Sequence, residues 1–232
     1  MVLLVHGITA DRHEWSFFDF LAAELLGQGF SSLAIDYRGH GASSIPISEL
    51  SLAGVVLDIA ASWEYCLERR QNPSAIKVIV GNSFGGGASL LFSSWSGEID
   101  HVVATCPVLS YVDDLDRVNR AWRSDLPTGR IHYASKSLPS SIVPQMYLFD
   151  LMLARTTRNV NLTIFHGTSD TDVPILASEQ FIESRGSGNL HRLLGMDHSF
   201  SAPEGTENRA AVSLEFRRRA AREISTFVGS LG

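Results

Sequence analysis

A chain of 232 residues, 44% hydrophobic and 19% charged, is long enough for one α/β domain with a full core and too apolar for disorder. Its formal net charge of −6 argues against nucleic acid as a partner, because phosphate binding is driven by basic surface. Two cysteines, Cys66 and Cys106, form neither a disulfide framework nor a metal-binding cysteine cluster, and they read as small buried hydrophobes.

The opening stretch "MVLLVHGITADRHEW" starts apolar but has no basic segment ahead of its apolar run, and His6 and Asp11 interrupt it early. It reads as a strand, not a signal peptide. No stretch of the chain approaches the length of a membrane span, so a cytoplasmic protein is expected. From there short apolar runs alternate with amphipathic ones. A strand over 2–5 precedes a helix over 15–26, a strand over 32–35 precedes a helix over 52–70, and a strand over 76–80 precedes a helix over 84–95. A fourth strand over 102–105 is followed, after a gap, by a strand over 162–165, a helix over 175–184, a strand over 190–194 and a helix over 213–228. Continuous apolar strands separated by helices imply a parallel sheet covered on both faces, in a single domain spanning 1–232. No repeat or low-complexity segment interrupts it. The gap, 113–158, mixes charges, prolines and aromatic residues and shows no clean strand. A connection of that length inside a compact domain is usually functional or disordered. Trp122, Tyr133, Tyr147 and Phe149 argue for order, and a partly helical insertion is expected.

In "KVIVGNSFGGGASLLF", Gly81-Asn82-Ser83-Phe84-Gly85 forms G-x-S-x-G between a predicted strand and a predicted helix. The small residues let strand and helix approach, while Ser83 sits on the turn with the helix N-terminus beneath it. A serine hydroxyl is a weak nucleophile and needs a base that is itself oriented by an acid. "FHGTSDTDVP" supplies Asp170 and Asp172 after one strand, and "LLGMDHSF" supplies His198 after the last. Loops at the C-terminal ends of parallel strands share one sheet edge, so serine, aspartate and histidine can converge in that chain order.

The stretches "LLVHGITADRHEW", "SLAIDYRGHGAS", "VIVGNSFGGG", "IFHGTSDTDVP" and "LGMDHSF" together resemble an α/β-hydrolase of the esterase, thioesterase and serine-aminopeptidase-like branch. The resemblance implies a mainly parallel six-stranded sheet with helices on both faces and a small cap over 113–158, similar to the caps of feruloyl or cinnamoyl esterases. It makes Ser83 the nucleophile, His198 the general base and acid, and Asp170 rather than Asp172 the partner of His198. It matches His6-Gly7 to the oxyanion loop, so that the backbone N–H groups of Ile8 and Phe84 face the reacting oxygen. Asp36, Arg38 and His40 match a D-x-R-G-H-G turn, read here as structural. Relatives commonly carry two further strands before the H-G strand; a chain lacking them is either a small hydrolase or one without its beginning, with an exposed edge that would favour self-association. The expected activity is hydrolysis of a small-molecule carboxylic ester, with no cofactor and no metal. A thioesterase or acyltransferase would use the same triad, and a non-catalytic binding protein could share the fold. Trp122, Tyr133, Tyr147 and Phe149 are the candidate substrate-binding residues of the cap. Monomer and homodimer are both open.

Overall fold

The first strand, β1 (Val2–Val5), is buried at every residue. Its side chains alternate across the sheet as a period of two requires: Leu3 and Val5 enter one hydrophobic cluster, Val2 and Leu4 the other. The structure, a computed structural model, describes residues 1–232 apart from Arg158, the last residue of the expected insertion, which lies outside the described residues. Helix α1 (Phe17–Gly27), strand β2 (Ser32–Ile35), helix α2 (Leu52–Arg69), strand β3 (Val78–Asn82), helix α3 (Ser83–Ser96) and strand β4 (His101–Thr105) follow in turn. Helices α4 (Tyr111–Val118) and α5 (Trp122–Asp125), strands β5 (Arg130–Tyr133) and β6 (Lys136–Pro139) and helix α6 (Ile142–Thr156) come next. Strand β7 (Leu162–Gly167), helix α7 (Ile175–Arg185), strand β8 (Asn189–Leu193) and helix α8 (Arg209–Gly229) complete the chain.

Six strands form one sheet in the order β2-β1-β3-β4-β7-β8, every neighbouring pair parallel. One face is covered by α2, α3 and α6, whose Val55, Ile59, Leu91 and Met146 pack with Leu3, Ile79 and Ile164. The other is covered by α1 and α8, whose Leu21, Leu25, Ile224 and Val228 pack with Leu4, Val80 and Val103. From β1 the chain leaves first to one side and then to the other. The C-terminal ends of β1 and β3 therefore flank a crevice of the kind where α/β sheets bind ligands. Among the described residues no helix is long and apolar enough to cross a membrane.

The six strands and five long helices lie where the apolar periodicity predicts, with ends moved by a few residues. Helix α1 begins at Phe17 rather than Trp15 because Glu14, Trp15 and Ser16 all take left-handed backbone angles, with φ of 42°, 57° and 70°. The insertion departs further from expectation. It holds three helices and, contrary to the absence of strand signal, an antiparallel hairpin of β5 and β6. The turn lacks the Asn-Gly or Asp-Gly signature of a tight hairpin; Ala134 takes the positive φ, 49°. Asp150 of α6 ties the segment together by accepting the N–H groups of Tyr111 and Val112, at 2.7 and 3.0 Å, at the start of α4.

Helix α3 lies so close to β1 that a Cβ on Gly85 would sit 2.3 Å from the carbonyl oxygen of His6 and 2.8 Å from that of Val5. Helix propensity alone makes Gly→Ala worth up to about 1 kcal/mol of stabilisation. The clash with fixed backbone should reverse that sign. Gly85→Ala is expected to destabilise the protein by about 1–3 kcal/mol, read as a lower denaturation midpoint; a stabilised variant would show that α3 moves away from β1 without cost.

Candidate active site

Strand β3 ends at Asn82 and α3 begins at Ser83, which is held at φ 51°. A non-glycine residue in the left-handed region at a strand–helix junction is a local strain maintained by its surroundings. Here Val108 donates its N–H to the Ser83 carbonyl at 2.9 Å, and Gly7 after β1 lies against the serine, so that a Cβ at residue 7 would stand 3.1 Å from Ser83 Cβ. The serine side chain is thereby aimed out of the sheet edge.

His198 sits in the loop between β8 and α8. Its Nε2 lies 2.8 Å from Ser83 Oγ and its Nδ1 2.7 Å from Asp170 Oδ2. This pattern assigns the proton to Nδ1, which donates to Asp170, and leaves Nε2 to accept the serine hydroxyl. Asp170 is buried in the turn after β7, where Oδ1 accepts the N–H groups of Asp172 and Val173 at 2.9 and 2.8 Å. His166 also approaches Oδ2, with its Nε2 at 3.2 Å. Burial opposes ionisation of Asp170, yet these donors and the His198 charge outweigh it and hold the carboxyl well below its ordinary range. For His198 the balance is similar. Burial pulls the imidazole down, but the Asp170 hydrogen bond and charge prevail and raise it above its ordinary value. Asp172, by contrast, is exposed and contributes its N–H to the Asp170 carboxylate.

Cys106, His166 and Asp170 bring ligand-type atoms within 4.8 Å of one another, but each is otherwise engaged. His166 donates from Nε2 to the Val173 carbonyl at 2.8 Å and accepts the Ser178 hydroxyl at Nδ1 at 2.9 Å. Burial pushes the Cys106 thiol well up, away from the thiolate that metals bind.

The loop after β1 is tied at three points. The N–H of Gly7 donates to Glu14 Oε2 at 2.6 Å, His6 Nδ1 donates to the Gly7 carbonyl at 2.7 Å, and His40 Nε2 donates to the Ile8 carbonyl at 2.7 Å. Phe84, second residue of α3, belongs to the first helical turn, whose N–H groups have no carbonyl one turn earlier to bond. The turn carrying Asp36, Arg38 and His40 is held by side chains. Asp36 accepts the N–H groups of Arg12 and Ala42, and Arg38 grips Asp58 in a two-pronged pair at 2.9 and 2.8 Å. Neither Glu14 nor the reach of His40 to Ile8 follows from the sequence, where a loop glutamate reads as surface and a D-x-R-G-H-G turn as self-contained.

An open cavity of about 230 Å³ is walled by Val108 and Leu109 ahead of α4, Asp114 and Arg117 on α4, and Pro174 and Ala177 at α7. Ser83, Asp170 and His198 do not line it; it meets the first two through Val108 and Val173, whose N–H groups bond the Ser83 carbonyl and the Asp170 carboxylate. None of the four expected aromatic residues lines it. Trp122 and Phe149 are buried in the core, Tyr147 is 46% exposed, and Tyr133 is buried with its hydroxyl donating to the Asp114 carboxylate. Aromatic side chains on short amphipathic helices are drawn to the core they cover. Tyr133 reaches the cavity wall through its hydrogen bond to Asp114.

A sequence profile described as the alpha/beta hydrolase family matches residues 2–211. Among solved structures, Est1E from Butyrivibrio proteoclasticus with ferulic acid bound is similar at 17% identity, over 96% of this chain and 86% of that one, with a TM-score of 0.75. A monoacylglycerol lipase from Paleococcus ferrophilus is similar at 17% identity over 97% and 93% of the two chains, with a TM-score of 0.67. An esterase from Pyrococcus furiosus is similar at 20% identity over 95% and 80%, with a TM-score of 0.62. At these identities the likeness is one of fold.

The hydrogen bond from His198 to Asp170 fixes what each nearby carboxylate does to the imidazole. Asp170→Asn should let burial dominate, so that His198 titrates below the ordinary imidazole value. Asp172→Asn should move it far less. An NMR titration of the His198 ring in both variants checks the ranking, and equal displacements would show that the two carboxylates act on it alike.

Proposed function

The chain belongs to the alpha/beta hydrolase family, and we propose that it is a serine hydrolase that cleaves a small carboxylic ester through an acyl-enzyme on Ser83. The observation that carries this reading is the unbroken line from Ser83 Oγ through both ring nitrogens of His198 to Asp170. Along that line Ser83 Oγ attacks the ester carbonyl carbon while its proton passes to His198 Nε2. The imidazolium so formed is stabilised by the Asp170 carboxylate. The N–H groups of Ile8 and Phe84 receive the negative oxygen of the tetrahedral intermediate, supplying preorganised donors where charge develops. Collapse expels the alcohol, which takes the proton from Nε2, and leaves the acyl group on Oγ. Water then attacks with His198 again accepting a proton, the carboxylic acid leaves, and the serine regains its hydrogen.

The choice of ester is supported by the neighbours, one holding ferulic acid and others named as a lipase and an esterase. Residues 113–158 act as the cap in this reading. Val108, Leu109 and Ala177 give the cavity an apolar wall for a compact acyl group, while Asp114 and Arg117 place charge at one side of it. Tyr133 contributes by fixing Asp114. Both thiols, Cys66 and Cys106, are free, which supports a reducing, cytoplasmic setting.

Ser83→Ala should lower kcat/KM on short-acyl nitrophenyl esters by about 10⁴-fold or more and abolish labelling by a fluorophosphonate, with the thermal midpoint retained. Near wild-type turnover in the folded variant would overturn the proposal. The acylation rate should also depend on pH in a fixed direction. His198 must be neutral to accept the proton, and its pKa is raised, so kcat/KM should climb with pH through a midpoint above the ordinary ~6.5 of an imidazole. A profile already flat at pH ~6.5 would remove His198 from that role.

A further inference from the structure

Glu14 is a carboxylate with 6% exposure in the loop between β1 and α1, and the acyl-transfer scheme above gives it no part. Its surroundings are specific. Oε2 takes the N–H of Gly7 at 2.6 Å, one residue before Ile8. The side-chain amide of Asn82, one residue before Ser83, favours the charged form of the same carboxylate, and its Nδ2 would stand 3.6 Å from a Cβ on Gly7. The Asn82 carbonyl oxygen in turn accepts the Thr105 hydroxyl at 2.6 Å. Thr105, Asn82, Glu14 and Gly7 thus form a polar line from β4 past the end of β3 to the loop after β1, hydrogen-bonded at its two ends, Thr105 to Asn82 and Gly7 to Glu14. It joins the two segments that carry the oxyanion amides.

We propose that Glu14 is a positioning residue for acyl transfer, bracing the Gly7–Ile8 loop against Asn82 so that the Ile8 and Phe84 amides keep a fixed separation. The inference rests on the serine-hydrolase reading above. The backbone supports it independently. Glu14, Trp15 and Ser16 are three consecutive non-glycine residues in the left-handed region, which L side chains avoid and which is otherwise visited singly. Burial of Phe17 and Phe18 accounts for anchoring the start of α1. It does not account for turning Glu14 inward while Trp15, its neighbour, is left 55% exposed. What the strained turn achieves at residue 14 is delivery of a carboxylate to Gly7 and Asn82.

The charge is held in a mixed field. Asp11 of the same loop faces Glu14 with like charge, His198 of the β8–α8 loop and Arg217 of α8 face it with opposite charge, and the Tyr37 hydroxyl lies nearby. Burial pushes the carboxyl up to about 7 against the pull of Gly7, His198 and Asn82. That rise reports the cost of burying the charge, and either protonation state of the carboxyl leaves an oxygen to accept the Gly7 N–H.

The polarity of the pair can be exchanged. Glu14→Gln turns one acceptor into a donor facing the Asn82 amide, and Asn82→Asp sets two carboxyl groups against each other. The double variant Glu14→Gln/Asn82→Asp restores one donor and one acceptor at every contact, the Thr105 hydroxyl included. Misplacing a catalytic group by about 1 Å costs on the order of 10²-fold. Each single variant should therefore lose between about 10-fold and 10³-fold in kcat with KM held within about three-fold. Affinity for a trifluoromethyl ketone, which forms the tetrahedral adduct, should fall in step with kcat/KM. The double variant should regain at least ~10-fold in kcat over Asn82→Asp, a non-additivity that a general loss of folding would not produce. A folded Glu14→Gln protein with wild-type kcat, or a double variant no better than the product of its singles, would overturn the brace. Fluorophosphonate labelling of the wild-type protein separates the two failures. If it does not label Ser83, the hydrolase reading fails; if it labels and the swap does not recover, the brace alone fails.

Discussion

The approach of α3 to the end of β1 is the constraint on which the site depends. Three backbone segments meet there within van der Waals contact: the first turn of the helix, the carbonyls of Val5 and His6, and the Gly7 loop against Ser83. A parallel strand that runs straight into a helix must reverse its hydrogen-bonding direction in one residue, and Ser83 takes the left-handed angle that allows it. Because glycine occupies 85, the helix can settle onto β1. Because it settles there, its unpaired first-turn amides come beside the loop that follows β1. Residue size, backbone strain and the geometry around Ser83 are thus tied to one close contact.

The buried charges around Ser83 are solved locally and differently. Asp170 stays ionised because two backbone N–H groups and two imidazoles address its oxygens. Glu14, buried with fewer donors, is pushed up to about 7. Asp114 is also raised by burial, offset by the Tyr133 hydroxyl and Arg117. Three carboxyl groups within one region therefore differ in acidity according to how many donors each receives. His6 completes the set from the other side. Burial lowers it to about 4, so at neutral pH it is an uncharged donor to the Gly7 carbonyl, stacked on Tyr37 with ring centroids 4.0 Å apart. The loop beside Ser83 is thereby positioned without an extra cation.

How far the sequence discloses this follows from the range of each interaction. Strands β1 and β2 are legible to the residue, since a run of Val, Leu and Ile ends at His6 in one and at Asp36 in the other. Strand β3 extends past the apolar run to Asn82 because ladder pairing with β4 continues through polar residues. The hairpin of β5 and β6 is illegible: each strand is four residues long, and the turn turns on Ala134 without glycine or asparagine. Ser83, Asp170 and His198 are readable because each follows a strand at the same sheet edge, though only the resemblance to the family's pattern separates Asp170 from Asp172. Glu14 has no such signature. Its meaning comes from Asn82, far away in sequence, and no local pattern encodes which loop carboxylate will turn inward.

In the proposed reading, chemistry and selectivity fall to different parts of the chain. Ser83 and Asp170 follow β3 and β7, strands paired on both sides within the central sheet, while His198 lies in the loop after the edge strand β8 and is held by its hydrogen bonds to both. The adjoining cavity instead takes its walls from the start of α7 and from the β4–α4 connection with α4, and Asp150 of α6 pins that helix by its first N–H groups. These segments owe their placement to side-chain contacts such as Tyr133 to Asp114 and Tyr111 to the Phe84 carbonyl, the latter at 2.8 Å. Side-chain contacts of this kind change with single substitutions, whereas the ladder under the triad does not. The same sheet edge can therefore keep its reacting geometry while the shape and charge of the cavity are revised, provided that Tyr111 continues to anchor α4 to the helix that carries Ser83.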